Sequence, residues 1–242
     1  MPAFLVHGVP DTHHLWNGVR KHLARSDIIA PDMPGFDRDV PSGFDSSKEA
    51  YVDWLIAEVE SAGEPVDIVG HDWGALLVER LVSVRPDLVR TWAAGAGAID
   101  ETYVWHPIAQ MWQTPGVGEN VMQGMTTEAI VPAFVNDGMP EPVAKEIASR
   151  IDDRMKAAIL PLYRSATNVG KEWGPALDDV KKPGLVICGE KDQYMSTDFH
   201  RRLATRTGAE LVTLPGGHWW PVEFPKETTE ALERHWEKRT LS

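Results

Sequence analysis

Cysteine is almost absent from this 242-residue chain. The single Cys188 excludes an internal disulfide, and its place in the apolar run Leu185-Val186-Ile187-Cys188 reads as a small core side chain rather than a reactive thiol. Basic residues are scarce as well: 24 Lys and Arg stand against 36 Asp and Glu, a net charge of -12. Such a surface repels phosphate backbones, so nucleic acid is not expected as a partner. Long hydrophobic runs are missing. Nothing approaches the ~20 consecutive apolar residues of a membrane span. Met1-Pro2 leads straight into Phe4-Leu5-Val6, too short for the apolar centre of a secretion signal. These absences lead to the expectation of a cytoplasmic protein without membrane or nucleic-acid partners. A monomer or homodimer is expected.

The composition that remains suits a packed core. With 43% hydrophobic and 25% charged residues, the chain fits one large domain, or one domain with an insertion. At this length folding buries on the order of 70–75% of the unfolded surface, so no disulfide or metal staple is required. Strands are predicted at Ala3–Val6, Asp27–Ala30, Val66–Val69, Val89–Ala94, Gly184–Cys188 and Glu210–Leu214. Helices are predicted from Leu15 to Leu23, with Asp11 or Thr12 as cap, and over Ser47–Ala62, Leu76–Val84, Thr197–Arg206 and Pro225–Arg239. Strand and helix in alternation predict an α/β fold, a parallel sheet with helices on both faces. The rhythm fails between residues 101 and 175. That stretch carries helical patterns such as Val143–Leu160, is rich in Trp, Met and Pro, and far exceeds a single crossover. It reads as a helical lid (101–175) inserted after the fourth strand, with 1–100 and 176–242 as the core domain.

One turn carries a chemical signal. Val66-Asp67-Ile68-Val69 runs into Gly70-His71-Asp72-Trp73-Gly74-Ala75 and then into a helical pattern. A strand, tight turn and helix of this form lift the central residue out on a strained backbone, and the glycines let strand and helix approach. Serine usually stands at the centre of such an elbow. Asp72 stands here, and a carboxylate can displace a leaving group from carbon and become an ester.

Open parallel sheets bind ligands beyond the carboxyl ends of their strands. Two further residues fall at such ends: Asp192, in Gly189-Glu190-Lys191-Asp192, and His218, in Pro215-Gly216-Gly217-His218-Trp219-Trp220. Nucleophile, acid and histidine in this order match one known class of catalytic triad. His218 would activate a water against the ester, and Asp192 would orient the imidazole. The backbone N–H groups of Trp73 and Val9 are the expected oxyanion donors. Glu190 and Asp100 are alternatives for the acid. His7 and His71 read as structural. His13-His14 and His106 show no metal-ligand spacing, so no metal is expected.

His7-Gly8-Val9-Pro10, Asp32-Met33-Pro34-Gly35-Phe36, the Asp72 elbow, Gly189 to Asp192 and Gly217-His218-Trp219 together resemble the α/β-hydrolases with an aspartate nucleophile. That group includes epoxide hydrolases and haloalkane dehalogenases. The resemblance covers the chain outside the lid. It implies the α/β-hydrolase fold, hydrolysis through an alkyl-enzyme ester, and no cofactor. Family members usually begin with a β-hairpin, whereas this chain begins at the following strand, so the sheet should have about six strands.

The lid separates the two activities. Epoxide hydrolases use lid tyrosines to protonate the departing oxygen, and Leu162-Tyr163-Arg164-Ser165 resembles the motif that carries one. A second is not matched: Ile108 stands where a tyrosine is expected, with Tyr103 the nearest substitute. Dehalogenases hold the halide with two side-chain N–H donors. Trp73 matches the first. The second is often an Asn directly after His-Gly, where this chain has Val9, so Trp105 or Trp112 of the lid would replace it.

The leading expectation is a hydrolase that opens epoxides to diols through Asp72, with a small apolar organic molecule and water as its partners. Dehalogenation by the same triad is the alternative. A non-catalytic small-ligand-binding relative is a third possibility of another class, against which stand the intact Asp72, Asp192 and His218.

Overall fold

The computed structural model describes residues 1–237. The chain runs through β1 (Ala3–Val6), α1 (Asn17–His22), β2 (Ile28–Ile29), α2 (Lys48–Glu60), β3 (Val66–His71), α3 (Trp73–Val84) and β4 (Val89–Gly95). A helical stretch follows: α4 (Pro107–Gln113), α5 (Val117–Gly124), α6 (Thr127–Asn136), α7 (Glu141–Ala148), α8 (Asp153–Ser165) and α9 (Val169–Trp173). The alternation then resumes with β5 (Gly184–Gly189), α10 (Thr197–Thr207), β6 (Glu210–Leu214), α11 (Trp220–Glu223) and α12 (Pro225–Glu237).

The sheet has six parallel strands in the order β2-β1-β3-β4-β5-β6. From β1 the chain crosses to β2 on one side, then returns to place β3 on the other. The order therefore reverses at β1 and β3, and a crevice opens beyond their carboxyl ends. In register, Val6 of β1 pairs with Gly70 of β3, and His71 of β3 with Gly95 of β4. The loops after these strands thus leave from one level.

Burial explains the strand sequences. β1, β3 and β5 are buried along their whole length, which favours continuous apolar runs over alternation. Leu5, Val69 and Leu77 are wholly buried between sheet and helices, and each such side chain contributes roughly 1.5–3 kcal/mol. The edge strands β2 and β6 are partly exposed. β2 is shorter than its sequence predicts because it has one neighbour alone, pairing through Ile28 and Ile29 with Ala3 and Phe4.

Two helices depart from expectation. The pattern over Val143–Leu160 is split into α7 and α8, because Asp152 accepts the Met155 N–H at 2.8 Å and starts a new helix. The first helix opens as a tight 3-10 turn at His13–Trp16, capped by Thr12, while Asp11 is buried. The predicted continuation of α12 to Arg239, like the end of the 176–242 core segment, lies outside the described residues. Among the described residues no helix is long and apolar enough to cross a membrane.

Candidate active site

Asp72 sits between β3 and α3 at φ 53° and ψ -118°, a left-handed conformation that a side-chain-bearing residue rarely adopts. Its N–H is fixed by the Gly95 carbonyl at 3.0 Å. The flanking glycines are required by contact: a Cβ on Gly70 would strike the Gly74 carbonyl, and one on Gly74 the Val6 carbonyl.

The two carboxylate oxygens of Asp72 have different surroundings. Oδ1 accepts the Val9 N–H at 2.7 Å, and the Trp73 N–H faces the same carboxylate. Oδ2 lies 3.7 Å from Nε2 of His218. On the far side of that ring, Nδ1 is 3.0 Å from Oδ2 of Asp192. Asp192 is itself held, its Oδ1 accepting the N–H groups of Tyr194 at 2.8 Å and Met195 at 3.0 Å. Of the alternative acids, Asp100 is paired with Arg202 at 2.8 Å and Glu190 is exposed. The fold thus brings Asp72, Asp192 and His218 into one line, with Val9 and Trp73 beside them. His7 and His71 serve the backbone. His7 donates to the Gly8 carbonyl (2.9 Å) and accepts the Met33 N–H (3.0 Å), and His71 donates to the His218 carbonyl (2.8 Å).

The electrostatics follow from burial and from this line of charges. Burial raises the pKa of Asp72, opposed by His218 and the two N–H groups. Burial also acts on Asp192, but His218 and its N–H partners outweigh it and hold the carboxyl below its ordinary value. Burial disfavours a charged His218, yet Asp192, Asp72 and Asp137 prevail and raise it to about 9. Asp11, foreseen only as a cap, is wholly buried with Oδ2 unpartnered. Burial, then the neighbouring Asp72 and Asp32 charges, push its pKa well above its ordinary value despite the Thr12 N–H.

A largely apolar cavity of about 410 Å³ opens over Asp72 and His218, walled by Val9, Ile108, Trp112, Ile130, Phe134 and Trp219. Tyr163 of α8 enters it, buried, with its ring edge-on to Trp73 (5.4 Å) and Trp112 (4.8 Å). Burial and the Asp72 charge push the Tyr163 phenol well above its ordinary value. Its hydroxyl lies beside the Trp73 indole, yet no aligned hydrogen bond forms, and neither the Trp73 nor the Trp112 N–H has an acceptor.

Two of the expected lid donors stand elsewhere. Trp105 stacks on Trp73 and gives its N–H to the Ala166 carbonyl (3.2 Å), so it has none left for a ligand. Tyr103 donates its hydroxyl to the Tyr194 carbonyl (3.1 Å). Both line a smaller cavity of about 260 Å³ on the other side of Asp72. Three titratable residues the sequence did not single out for the cavity line it: His106, Asp137 and Tyr194. The Tyr194 hydroxyl donates to Asp137 at 2.5 Å across 57 residues of sequence, a pairing with no local signal. Elsewhere, ligand atoms of His13, His14 and Asp37 come within 4.8 Å of one another.

Comparison with known proteins agrees with this architecture. A hydrolase of (E)-2-((N-methylformamido)methylene)succinate from Acinetobacter baylyi is 22% identical over 238 residues, spanning 96% of this chain and 89% of that protein. A thermophilic esterase from Thermogutta terrifontis superposes with a TM-score of 0.81 at 21% identity, over 99% of this chain and 90% of its own. The haloalkane dehalogenase DbeA from Bradyrhizobium elkani does so with a TM-score of 0.75 at 22% identity, over 98% and 91%. These likenesses show the α/β-hydrolase fold. The sequence profile described as "Alpha/beta hydrolase family" matches residues 3–231, and the chain belongs to that family.

Proposed function

We propose that the protein hydrolyses small, uncharged epoxides to diols through a covalent ester on Asp72, with residues 101–175 acting as the lid over the site. The observation that carries this reading is the unequal environment of the two Asp72 oxygens. Oδ1 accepts the Val9 N–H at 2.7 Å, with the Trp73 N–H facing the same carboxylate, while Oδ2 lies toward His218 and is left to attack.

In the first step Oδ2 forms a bond to an epoxide carbon and the carbon–oxygen bond breaks. Tyr163, protonated at any working pH, gives its proton to the departing oxygen. In the second step His218 takes a proton from water, and the hydroxide oxygen attacks the ester carbon of Asp72. Charge then gathers on Oδ1, which already accepts the Val9 N–H and has the Trp73 N–H beside its carboxylate. Collapse breaks the bond from the ester carbon to Oδ2, which departs as a hydroxyl of the diol with the proton of the added oxygen. The carboxylate is restored, and the proton on His218 returns to the Tyr163 phenolate. Esterification also removes the Asp72 charge, one of those that keep His218 protonated, so the first step prepares the imidazole as a base for the second.

The cavity supports the substrate class. Its walls are mainly apolar, and among the described residues neither Lys nor Arg lines it. A dianion such as the succinate derivative cleaved by the Acinetobacter relative would meet Asp72 and Asp137, and the one cation there among the described residues, the His218 imidazolium, is already balanced by Asp192 and Asp72.

Dehalogenation has one observation in its favour: the Trp73 and Trp112 N–H groups without acceptors suit a departing halide. A panel of epoxides and haloalkanes, with diol and halide release both followed, tests the two readings. Diol formation alone supports the first. Halide release without diol formation replaces it with the second, and binding without either product points to a non-catalytic relative.

A further inference from the structure

The pair His13-His14 is left unused by the reaction above, and neither ring lines the cavity over Asp72. Sequence spacing supplies these two histidines with no third ligand. The fold supplies one from the loop after β2: a nitrogen of each ring and a carboxylate oxygen of Asp37 lie within 4.8 Å of one another. The rings are 4.1 Å apart between centroids and tilted by 35°.

The surroundings resemble the outer shell of a metal site. Nδ1 of His13 is 2.7 Å from the Asp32 carboxylate, whose other oxygen accepts the His13 N–H at 2.8 Å. Nδ1 of His14 lies 3.0 Å from both the Asn17 amide and Glu146. Carboxylate partners on Nδ1 fix an imidazole's orientation and raise the basicity of the opposite nitrogen. Among the described residues no hydrogen-bond partner meets Nε2 of either ring. Asp37 and Glu146 share one guanidinium, that of Arg150, at 2.7 and 3.9 Å, while the only basic side chains that meet Asp32 among the described residues are the imidazoles of His7 and His13. The cluster therefore carries an excess of negative charge beside two imidazoles.

We propose that His13, His14 and Asp37 form a binding site for a borderline divalent cation such as Zn²⁺, at the seam where the turn before α1 and the loop after β2 meet the end of α7. Two nitrogen ligands and one carboxylate favour Zn²⁺ over Mg²⁺ or Ca²⁺, which prefer oxygen. Bonds of about 2.0–2.2 Å set tetrahedral ligand atoms roughly 3.4 Å apart, so rotations that move the side chains by about 1 Å close the set, with water as fourth ligand. Asp37 is shared between the metal and Arg150, so the two cations compete for it.

That competition gives the site a distinctive test. Titration calorimetry of the metal-free protein with Zn²⁺ alone should give one equivalent bound per chain. His13→Gln and His14→Gln should each weaken binding by at least about tenfold, and Asp37→Asn likewise. Arg150→Gln should tighten binding by removing the competitor. His22→Gln, an exposed histidine outside the cluster, should leave the affinity unchanged. Zn²⁺ should raise the melting temperature of the wild type and of Arg150→Gln, but not of the histidine double variant. Cobalt(II) should give the visible absorption of a tetrahedral nitrogen–oxygen site in the wild type. No saturable uptake by the wild type, or wild-type affinity in Asp37→Asn or in the double variant, overturns the proposal. Should the double variant fail to fold, Asp37→Asn and Arg150→Gln decide the matter by their opposite signs.

Discussion

The two walls of the cavity over Asp72 are built in different ways. On the sheet side Asp72, Asp192 and His218 are tied to backbone groups and to one another, at 2.7 to 3.7 Å. On the helical side rings meet ring edges, and the indole N–H of Trp112 has no acceptor. Hydrogen bonds fix angles, so the first wall is organised in advance for charge that develops at a known point. Packed rings fix volume, so the second wall selects a shape and leaves donors available to a ligand. In the reading proposed above, one wall sets the reaction and the other sets what departs.

The largest effects are expected on the sheet side. Asp72→Asn should abolish turnover, a loss of roughly 10⁴-fold or more. His218→Ala should spare ester formation and block its breakdown, so the protein gains the mass of the substrate (less the leaving group, for a halide) and keeps it. Intact-mass spectrometry reads this directly. An unmodified His218→Ala protein, where wild type turns over, would place the imidazole before the ester and break the proposed division of steps. Asp192→Asn should slow the same breakdown less completely, leaving the imidazole present but poorly oriented.

On the helical side the effects should be smaller and should depend on the leaving group. Tyr163→Phe should lower epoxide opening by about 10²-fold and leave any halide release nearly intact. Trp112→Phe should do the reverse. Equal losses for both substrates in both variants would erase the distinction between the walls. Measured rates settle it without structural work.

A pH profile sharpens the contrast further. His218 is raised to about 9 in the free protein by Asp192, Asp72 and Asp137 acting against burial. With Asp72 esterified, one of those charges is gone and the imidazole should titrate below that value. Single-turnover breakdown of the ester should therefore rise with pH, up to tenfold per unit, and level off below about pH 9. A flat profile from neutral pH downward would remove His218 as the base.

The smallest effect is expected from beneath the elbow. Glu79 of α3 is wholly buried, its Oε2 accepting the Ile99 N–H at 2.8 Å and its Oε1 unpartnered. Burial, opposed by that N–H, raises it to about 8 from an ordinary 4.5. The folded state thus holds the proton more tightly than the unfolded chain. Its stabilising contribution is whole below the unfolded value and is lost as pH rises through the folded one. Glu79→Gln should accordingly gain a few degrees in melting temperature relative to wild type at alkaline pH, on the order of 2–4 °C per kcal/mol for a chain of this size. At acid pH the gain should vanish. Thermal melts at the two extremes test it.

The same two walls differ in how far the sequence announces them. Gly70, Gly74, the strand before Asp72 and the positions of Asp192 and His218 at strand ends are local features, each set by backbone geometry that a short stretch encodes. The six parallel strands were legible for the same reason, apart from the length of β2, which depends on its single neighbour. The helical side rests on contacts between distant segments. Asp152 as a new cap was local and readable, yet the unbroken apolar pattern over Val143–Leu160 concealed it. The Tyr194–Asp137 pair, the loss of the Trp105 N–H to Ala166, and the turning away of Tyr103 depend on how α4 to α8 settle. Asp37 beside His13 and His14 belongs to the same class.

The stacked indoles of Trp73 and Trp105 have a consequence outside chemistry. One ring belongs to the elbow and the other to the segment after β4, their centroids are 5.9 Å apart, and their planes differ by 19°. Electronic transitions in two such chromophores mix, and the mixing falls steeply with distance and angle. The pair is therefore a label-free optical reporter of how the segment after β4 packs on the turn that carries Asp72. Its near-ultraviolet circular dichroism should change when that packing changes, and substituting either indole should remove the coupled signal.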